Sequence, residues 1–372
     1  MPWGDLPRAD ALAPSGVIVV DKPSGVTSHD VVGAVRRLAG TRKVGHAGTL
    51  DPMATGVLTI GVGSATRLLT YLSGERKTYI ATIAFGVATD SADADGAFID
   101  ASRGLRGSFQ RFAQTVGVQQ SSNSPEHVNN SALQEDAMRD VPAMKEAING
   151  LVDQALGELC GPIMQVPPAI SAKKISGKRA YDLARAGETV ELEAQRVEVF
   201  RFVRTSEARA LQVASTPVVE IDVLVECSAG TYIRSLARDL GTALGMGAHL
   251  RMLRRTEVGA FSIDDAATVL DLKRAVLAGA PLPVIPLADA ATRVMPSVAV
   301  SRTEAEALRH GQFIELAPQP LAYPVALVAD SQTHTERELV AIGTKRGRKT
   351  APTVVFQQGA SITRDFDEPA LP

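Results

Sequence analysis

The sequence is poor in cysteine and in aromatic residues, and it has no large surplus of charge of either sign. Only Cys160 and Cys227 occur among 372 residues, which argues against a disulfide framework and a thiolate zinc site and suits a reducing compartment. Aromatic residues make up 4% of the chain, so any surface that stacks on planar ligands must rest on a few rings. No apolar run approaches the ~20 residues that cross a bilayer. The opening MPWGDLPRADALAPSG lacks the charged leader and apolar stretch of a secretory signal. A cytoplasmic protein without membrane contact is the expectation. Phosphate-loop and metal motifs are missing too. GVLTIGVGSATR has glycines without the spacing of a dinucleotide loop, and histidines and acids never gather at ligand spacing. No metal and no cofactor are expected.

What is present is ordinary globular composition, 45% hydrophobic and 22% charged, enough for one large domain and a small one. The net charge of −2 argues mildly against a nucleic-acid partner, but the charges are segregated. Val31 to Leu50 carries Arg36, Arg37, Arg42 and Lys43 and no acid. Ser171 to Arg179 carries Lys173, Lys174, Lys178 and Arg179. Arg251, Arg254 and Arg255 form a third cluster, and Lys345, Arg346, Arg348 and Lys349 a fourth. Glu126 to Glu158, by contrast, holds seven acids against two basic residues. Each cluster taken alone also reads as a solvated face.

Along the chain, residues 1–15 read as a flexible tail. GVIVVDKPSG is a strand stopped by Pro23 and Gly25. TSHDVVGAVRRLAG is a helix capped at Thr27 or Ser28, with Val31, Val35 and Leu38 on one face. VGHAGTLDPM, Val44 to Met53, reads as a loop. GVLTIGVG is a strand, SATRLLTYLSG a helix, and KTYIATIAFGVAT a strand with Tyr79, Ala81, Ile83 and Phe85 on one face. From about residue 101 to 142 the sequence turns polar, and a surface-exposed, dispensable insertion is expected. A helix at MKEAINGLVDQALGEL, strands at RVEVFRFVR and VVEIDVLVEC, and a helix at GTYIRSLARDLGTALG follow. After a proline-containing linker, PVALVAD, ELVAIG and TVVF suggest a small β-rich module.

GHAGTLDP is the most informative stretch. A carboxylate framed by glycine and proline sits on rigid backbone, and Asp51 can be a nucleophile, a general base, a metal ligand or a turn-former ahead of Pro52. The residues alone leave these alternatives open.

The run GHAGTLDPMATGVL, preceded by VDKPSGVTSHDVV and followed by KTY and TDSADADG, resembles the bacterial tRNA pseudouridine synthase B family. GTYIRSLARDLG and GAHLRMLRR are similar to later motifs of that family, in the same order. The resemblance covers residues 16 to about 100 and 147 to about 262. It implies an α+β pseudouridine synthase fold, with a central mixed, mostly antiparallel sheet flanked by helices. A catalytic domain would span 16–285, and a PUA-like RNA-binding domain 297–358. It further implies isomerisation of uridine 55 in the TΨC loop of tRNA, by a monomer that needs no cofactor and no protein partner. The reaction breaks the N1–C1′ bond, turns the uracil and rejoins it through C5, after the nucleotide leaves its stack.

On this resemblance Asp51 is the nucleophile, attacking C1′ or C6 or assisting loss of the C2′ proton. Tyr79 stacks on the uracil and takes part in proton transfer. Arg234 pairs with the catalytic aspartate and keeps it ionised, with Asp93 as a second partner or a turn-former. His46 contacts the substrate. Tyr232 and Leu253 line the uracil pocket, and Lys22 has a phosphate-binding or structural role. The basic stretches around Arg42, Lys173 to Arg179 and Arg251 to Arg255 would grip phosphates. The alternatives are a non-catalytic RNA-binding or tRNA-folding protein, a nucleoside hydrolase using Asp51 with His46, and a synthase for another RNA. Loss of product with Asp51→Ala, or release of uracil, separates them.

Overall fold

The structure, a computed structural model of the chain, describes residues 2–9, 11–99, 141–168, 174–175, 178–179, 192–213, 216–316, 320, 322–330 and 337–357. The expected insertion lies outside the described residues except for its last two, 141 and 142, and so does Lys173 of the second basic cluster. The chain divides into two compact units, Met1–Glu75 with Thr256–Pro372, and Arg76–Arg255.

The first unit begins with β1 (Gly16–Lys22), α1 (Ser28–Leu38), β2 (Val44–Ala47) and β3 (Thr55–Val62). β1 runs antiparallel to β3 from Gly16↔Val62 to Lys22↔Gly56. α1 starts at a full capping box: the Asp30 N–H donates to Thr27 Oγ1 and the Thr27 N–H to Asp30 Oδ2. Such a cap contributes about 1 kcal/mol. The helix buries Val31, Val35 and Leu38, the face expected from spacing. Its two C-terminal arginines are tied down locally. Arg36 donates to the Val44 carbonyl at 3.0 Å and Arg37 to that of Leu6. Ahead of β1, Leu6 is buried and the Ala13 N–H donates to the Ala39 carbonyl at 3.1 Å.

The expected loop from Val44 to Met53 is only partly a loop. Val44 to Ala47 pairs with β3 from Val44↔Val62 to Ala47↔Thr59. Two glycines mask the strand in the sequence, but the pairing continues opposite Gly61, where two chains without side chains approach closely. The expected helix at 64–74 is a 3-10 turn, Gly63–Arg67, followed by the short α2 (Leu69–Ser73).

The second unit is built on β4 (Lys77–Phe85), α3 (Val141–Glu158), β5 (Gly161–Gln165), β6 (Gln195–Arg204), β7 (Arg209–Val213), β8 (Thr216–Cys227) and α4 (Ile233–Ala243). β4, β8, β6 and β5 lie side by side and antiparallel, with β7 also paired to β8. Tyr79, Ala81, Ile83 and Phe85 are buried while Ile80 is exposed, which is the period of a strand with one face on the core. AHLRMLRR, a basic stretch in the sequence, proves to be part of a strand, β9 (Ala248–Val258).

The first unit resumes with β10 (Phe261–Ser262), α5 (Val269–Leu277), α6 (Leu287–Val294), β11 (Ser297–Ala299), α7 (Arg302–Arg309), β12 (Val325–Asp330), β13 (Arg337–Arg346) and β14 (Lys349–Val355). β11 to β14 form a four-stranded sheet in chain order, with β11 parallel to β12 and the rest antiparallel. One apolar cluster joins this sheet to the start of the chain: Ala326, Val328, Leu339, Ile342 and Phe356 pack with Val17, Val19, Ala47, Val57 and Phe261. Burial of apolar surface on this scale, at about 25 cal/mol per Å², makes the sheet part of one core with β1 and β3.

Candidate active site

Of the eight residues singled out in the sequence, Lys22, His46 and Asp51 belong to the first unit. Tyr79, Asp93, Tyr232, Arg234 and Leu253 belong to the second.

Asp51 is half-buried in the segment between β2 and β3, and the turn after β1 pins that segment from several sides. Lys22 is fully buried, and its ammonium donates to three carbonyls: Val26 at 2.7 Å, Pro23 at 2.9 Å and Pro52 at 3.1 Å. The Gly25 N–H reaches the same Pro52 carbonyl at 2.9 Å, from a backbone with φ of +80° that favours glycine. Ser24 Oγ donates to the Met53 carbonyl at 3.1 Å. Buried Ser28 holds Leu50 on both its backbone groups, at 2.9 Å and 3.2 Å. The Ala54 N–H closes the turn onto the Asp51 carbonyl at 3.1 Å. The residues on both sides of Asp51 are thereby fixed by their main chain, which is how a loop holds a reactive side chain at a defined angle.

Of the two roles left open for Lys22 in the sequence, the buried ammonium and its three carbonyl partners favour the structural one. An ammonium with no accessible surface, donating to three carbonyls, is a clamp on the Asp51 loop. His46 lies on β2, half-buried, with its ring edge-on to that of His29 at 5.4 Å between centroids.

In the second unit the structure brings Arg234 and Asp93 together. Both are buried, and Arg234 Nη1 lies 3.2 Å from Asp93 Oδ2. The same nitrogen donates to the Ser91 carbonyl at 3.0 Å. Asp93 Oδ1 accepts from Ser91 Oγ at 2.6 Å and from the Asp95 N–H at 3.1 Å. Arg234 stands in the first turn of α4, where the helix dipole disfavours a cation. The Asp93 carboxylate offsets that and orients the guanidinium. Asp93 thus fills both roles read for it, partner of Arg234 and organiser of its own turn. Both of its oxygens are engaged inside the protein.

Tyr232 immediately precedes α4, and its backbone is gripped by Gln165. The Tyr232 N–H donates to Gln165 Oε1 at 2.8 Å, and Gln165 Nε2 donates back to the Tyr232 carbonyl at 3.1 Å. Gln165 is fully buried at the end of β5. Sequence reasoning missed it, because one glutamine in a proline-punctuated stretch carries no motif. Tyr79 and Leu253 are 6% and 5% exposed, both in strands.

The third basic cluster divides on its strand. Arg251 Nε lies 2.9 Å from Glu220 Oε1, and burial pushes the Glu220 carboxyl above its ordinary range against the pull of Arg251 and Arg209. Arg255 is fully buried, so the protein interior holds it and an RNA phosphate cannot reach it. Arg251 and Arg255 share strand parity, so their different surroundings come from position along β9 and not from alternation, and the stretch hid this while it read as a charge run.

The backbone is similar to that of solved structures of low sequence identity. It is similar to the structure of an H/ACA RNP bound to a substrate RNA containing 2′-deoxyuridine, with a TM-score of 0.56 and 22% identity over 94% of this chain and 87% of that one. A Cbf5–Nop10–Gar1 complex gives a TM-score of 0.54 at 24% identity, over 92% and 85%. The model of the TruB family pseudouridylate synthase N-terminal domain matches residues 36–141 and 127–233, and that of the tRNA pseudouridylate synthase B C-terminal domain residues 234–281. The tRNA pseudouridine synthase B of Thermobifida fusca is 43% identical over 92% of this chain and 98% of its own length. That of Paenarthrobacter aurescens is 41% identical over 93% and 96%. The chain belongs to the TruB family of pseudouridylate synthases.

Proposed function

We propose that the protein converts uridine 55 in the TΨC loop of tRNA to pseudouridine, working as a cytoplasmic monomer. The observation that carries the reading is the half-buried Asp51 on a loop fixed by main-chain bonds, in a chain whose relatives over nearly its whole length are tRNA pseudouridine synthases. Asp51 is the nucleophile toward the flipped nucleotide. Arg234, oriented by Asp93, is the cation of the proposed chemistry. Tyr79 supplies the ring against the uracil, and a base on an aromatic side chain gains about 1–3 kcal/mol. Tyr232 and Leu253 shape the pocket wall, and His46 contacts the RNA near the nucleophile. The 297–358 module is the PUA-like part, on the RNA side.

The test is to incubate tRNA transcripts with the wild type and with Asp51→Ala and to map pseudouridine. Modification at uridine 55 by the wild type, none by the variant, and equal RNA binding are expected. Unmodified tRNA with the wild type would leave an RNA-binding protein without this chemistry.

A further inference from the structure

The fourth basic cluster has no part in the chemistry above, and the fold gives it a particular place. β13 ends and β14 begins around Gly347, whose φ of +63° suits the reversal of the chain. Lys345, Arg346, Arg348 and Lys349 flank that turn, and all four are exposed. The register sets Arg346 directly opposite Lys349. Like charges facing each other across a ladder destabilise a hairpin, so this arrangement opposes the fold locally.

Elsewhere in the same C-terminal region arginines are neutralised within the protein. Arg309 lies 2.9 Å from Glu338, Arg337 lies 3.2 Å from Asp289, and Arg293 lies 3.1 Å from Asp265. Among the described residues, no carboxylate stands within ion-pair distance of the four cations at the turn. Glu315, the acid beside them, follows Ile314, whose backbone is bonded to Thr350 in both directions, and even it forms no ion pair there. On the other side of Ile314, Phe313 is 54% exposed. A ring left in water beside a cationic turn suits a nucleobase face better than a lipid headgroup or an acidic peptide.

We propose that the β13–β14 turn is a phosphate-binding contact for the tRNA, distinct from the pocket that takes the target uridine. The proposal rests on tRNA being the substrate. Because the C-terminal sheet shares its core with β1 and β3, a phosphate held at the turn sets how the RNA lies with respect to the loop of Asp51.

The test compares the wild type with the full chain carrying Lys345→Ser, Arg346→Ser, Arg348→Ser and Lys349→Ser, and with Arg348→Ser alone. Pseudouridine formation on tRNA is followed across a salt series. For the fourfold variant a KM raised about tenfold or more is expected, with kcat unchanged. Its dependence of log KM on log salt should be shallower by about two to four, at ~0.9 for each phosphate that the protein no longer neutralises. Arg348→Ser should flatten the slope by about one. A wild type that modifies tRNA, beside variants with its KM and salt slope, overturns the phosphate contact and leaves the function standing. A fall in kcat at constant KM overturns it too. A wild type inactive on tRNA sinks both.

Discussion

Two carboxylates of the candidate site sit in segments that are held by different kinds of bond. Asp93 is 5% exposed, and its own oxygens carry its bonds, to Arg234, Ser91 and Asp95. Around Asp51 the fixing bonds go instead to main-chain atoms of Leu50, Pro52 and Met53. A group that orients another side chain is spent within the protein. At half-buried Asp51 the bonds described are those of the neighbouring main chain, which fix the loop that carries it. The contrast turns on the cations as well, since Arg234 balances a charge whereas Lys22 serves carbonyls.

The sharpest test of the first half is Asp93→Asn. The amide keeps the size and can still accept from Ser91, but it removes the charge from a buried ion pair. A loss of about 3–5 kcal/mol in unfolding free energy is expected, the range for breaking such a pair, and denaturant titration measures it. An unchanged midpoint would mean that Arg234 does not depend on Asp93. For the other half, Lys22→Met should cost about 2–3 kcal/mol, as charged hydrogen bonds to three carbonyls are lost. It should also lower kcat more than it raises KM. A KM effect alone would put Lys22 on the RNA and break the contrast.

Smaller effects refine the picture. Gln165→Leu removes both bonds to the Tyr232 backbone and should cost about 1–2 kcal/mol, read by thermal melting and by KM for tRNA. The smallest concerns His249, fully buried with Nδ1 2.9 Å from the Val87 carbonyl. Burial, the largest influence, holds its pKa below 6.5 in the fold. The unfolded chain therefore binds a proton first as pH falls. The stability that the neutral ring contributes is complete above about pH 6.5 and drains away on acidification until the folded-state pKa is passed. Unfolding free energy measured from pH 7.5 to 5 should show this slope, and His249→Asn should remove it.

Much of this is legible in the sequence. The Thr27 cap, the apolar face of α1 and the alternation of β4 are local patterns, and local patterns survive folding. That Asp93 pairs with Arg234 was readable through the family resemblance and not from spacing. What escaped was decided at long range. β2 was hidden by glycines that only pairing with β3 explains, and β9 by arginines that pass for a surface run. The inward turn of Lys22 and the grip of Gln165 on Tyr232 join residues 30 and 67 positions apart, and no periodicity reports on such a meeting.

The cluster that ties Val17 and Val57 to Ile342 and Phe356 bears on how the chain can be cut or exchanged. Its last hundred residues are not a detachable cassette, because shortening the polypeptide there would unroof the opening strands and expose valines that no solvent-facing surface was shaped to replace. A graft from a distant cousin would have to bring its own matching underside, so appendage and scaffold can drift only in step.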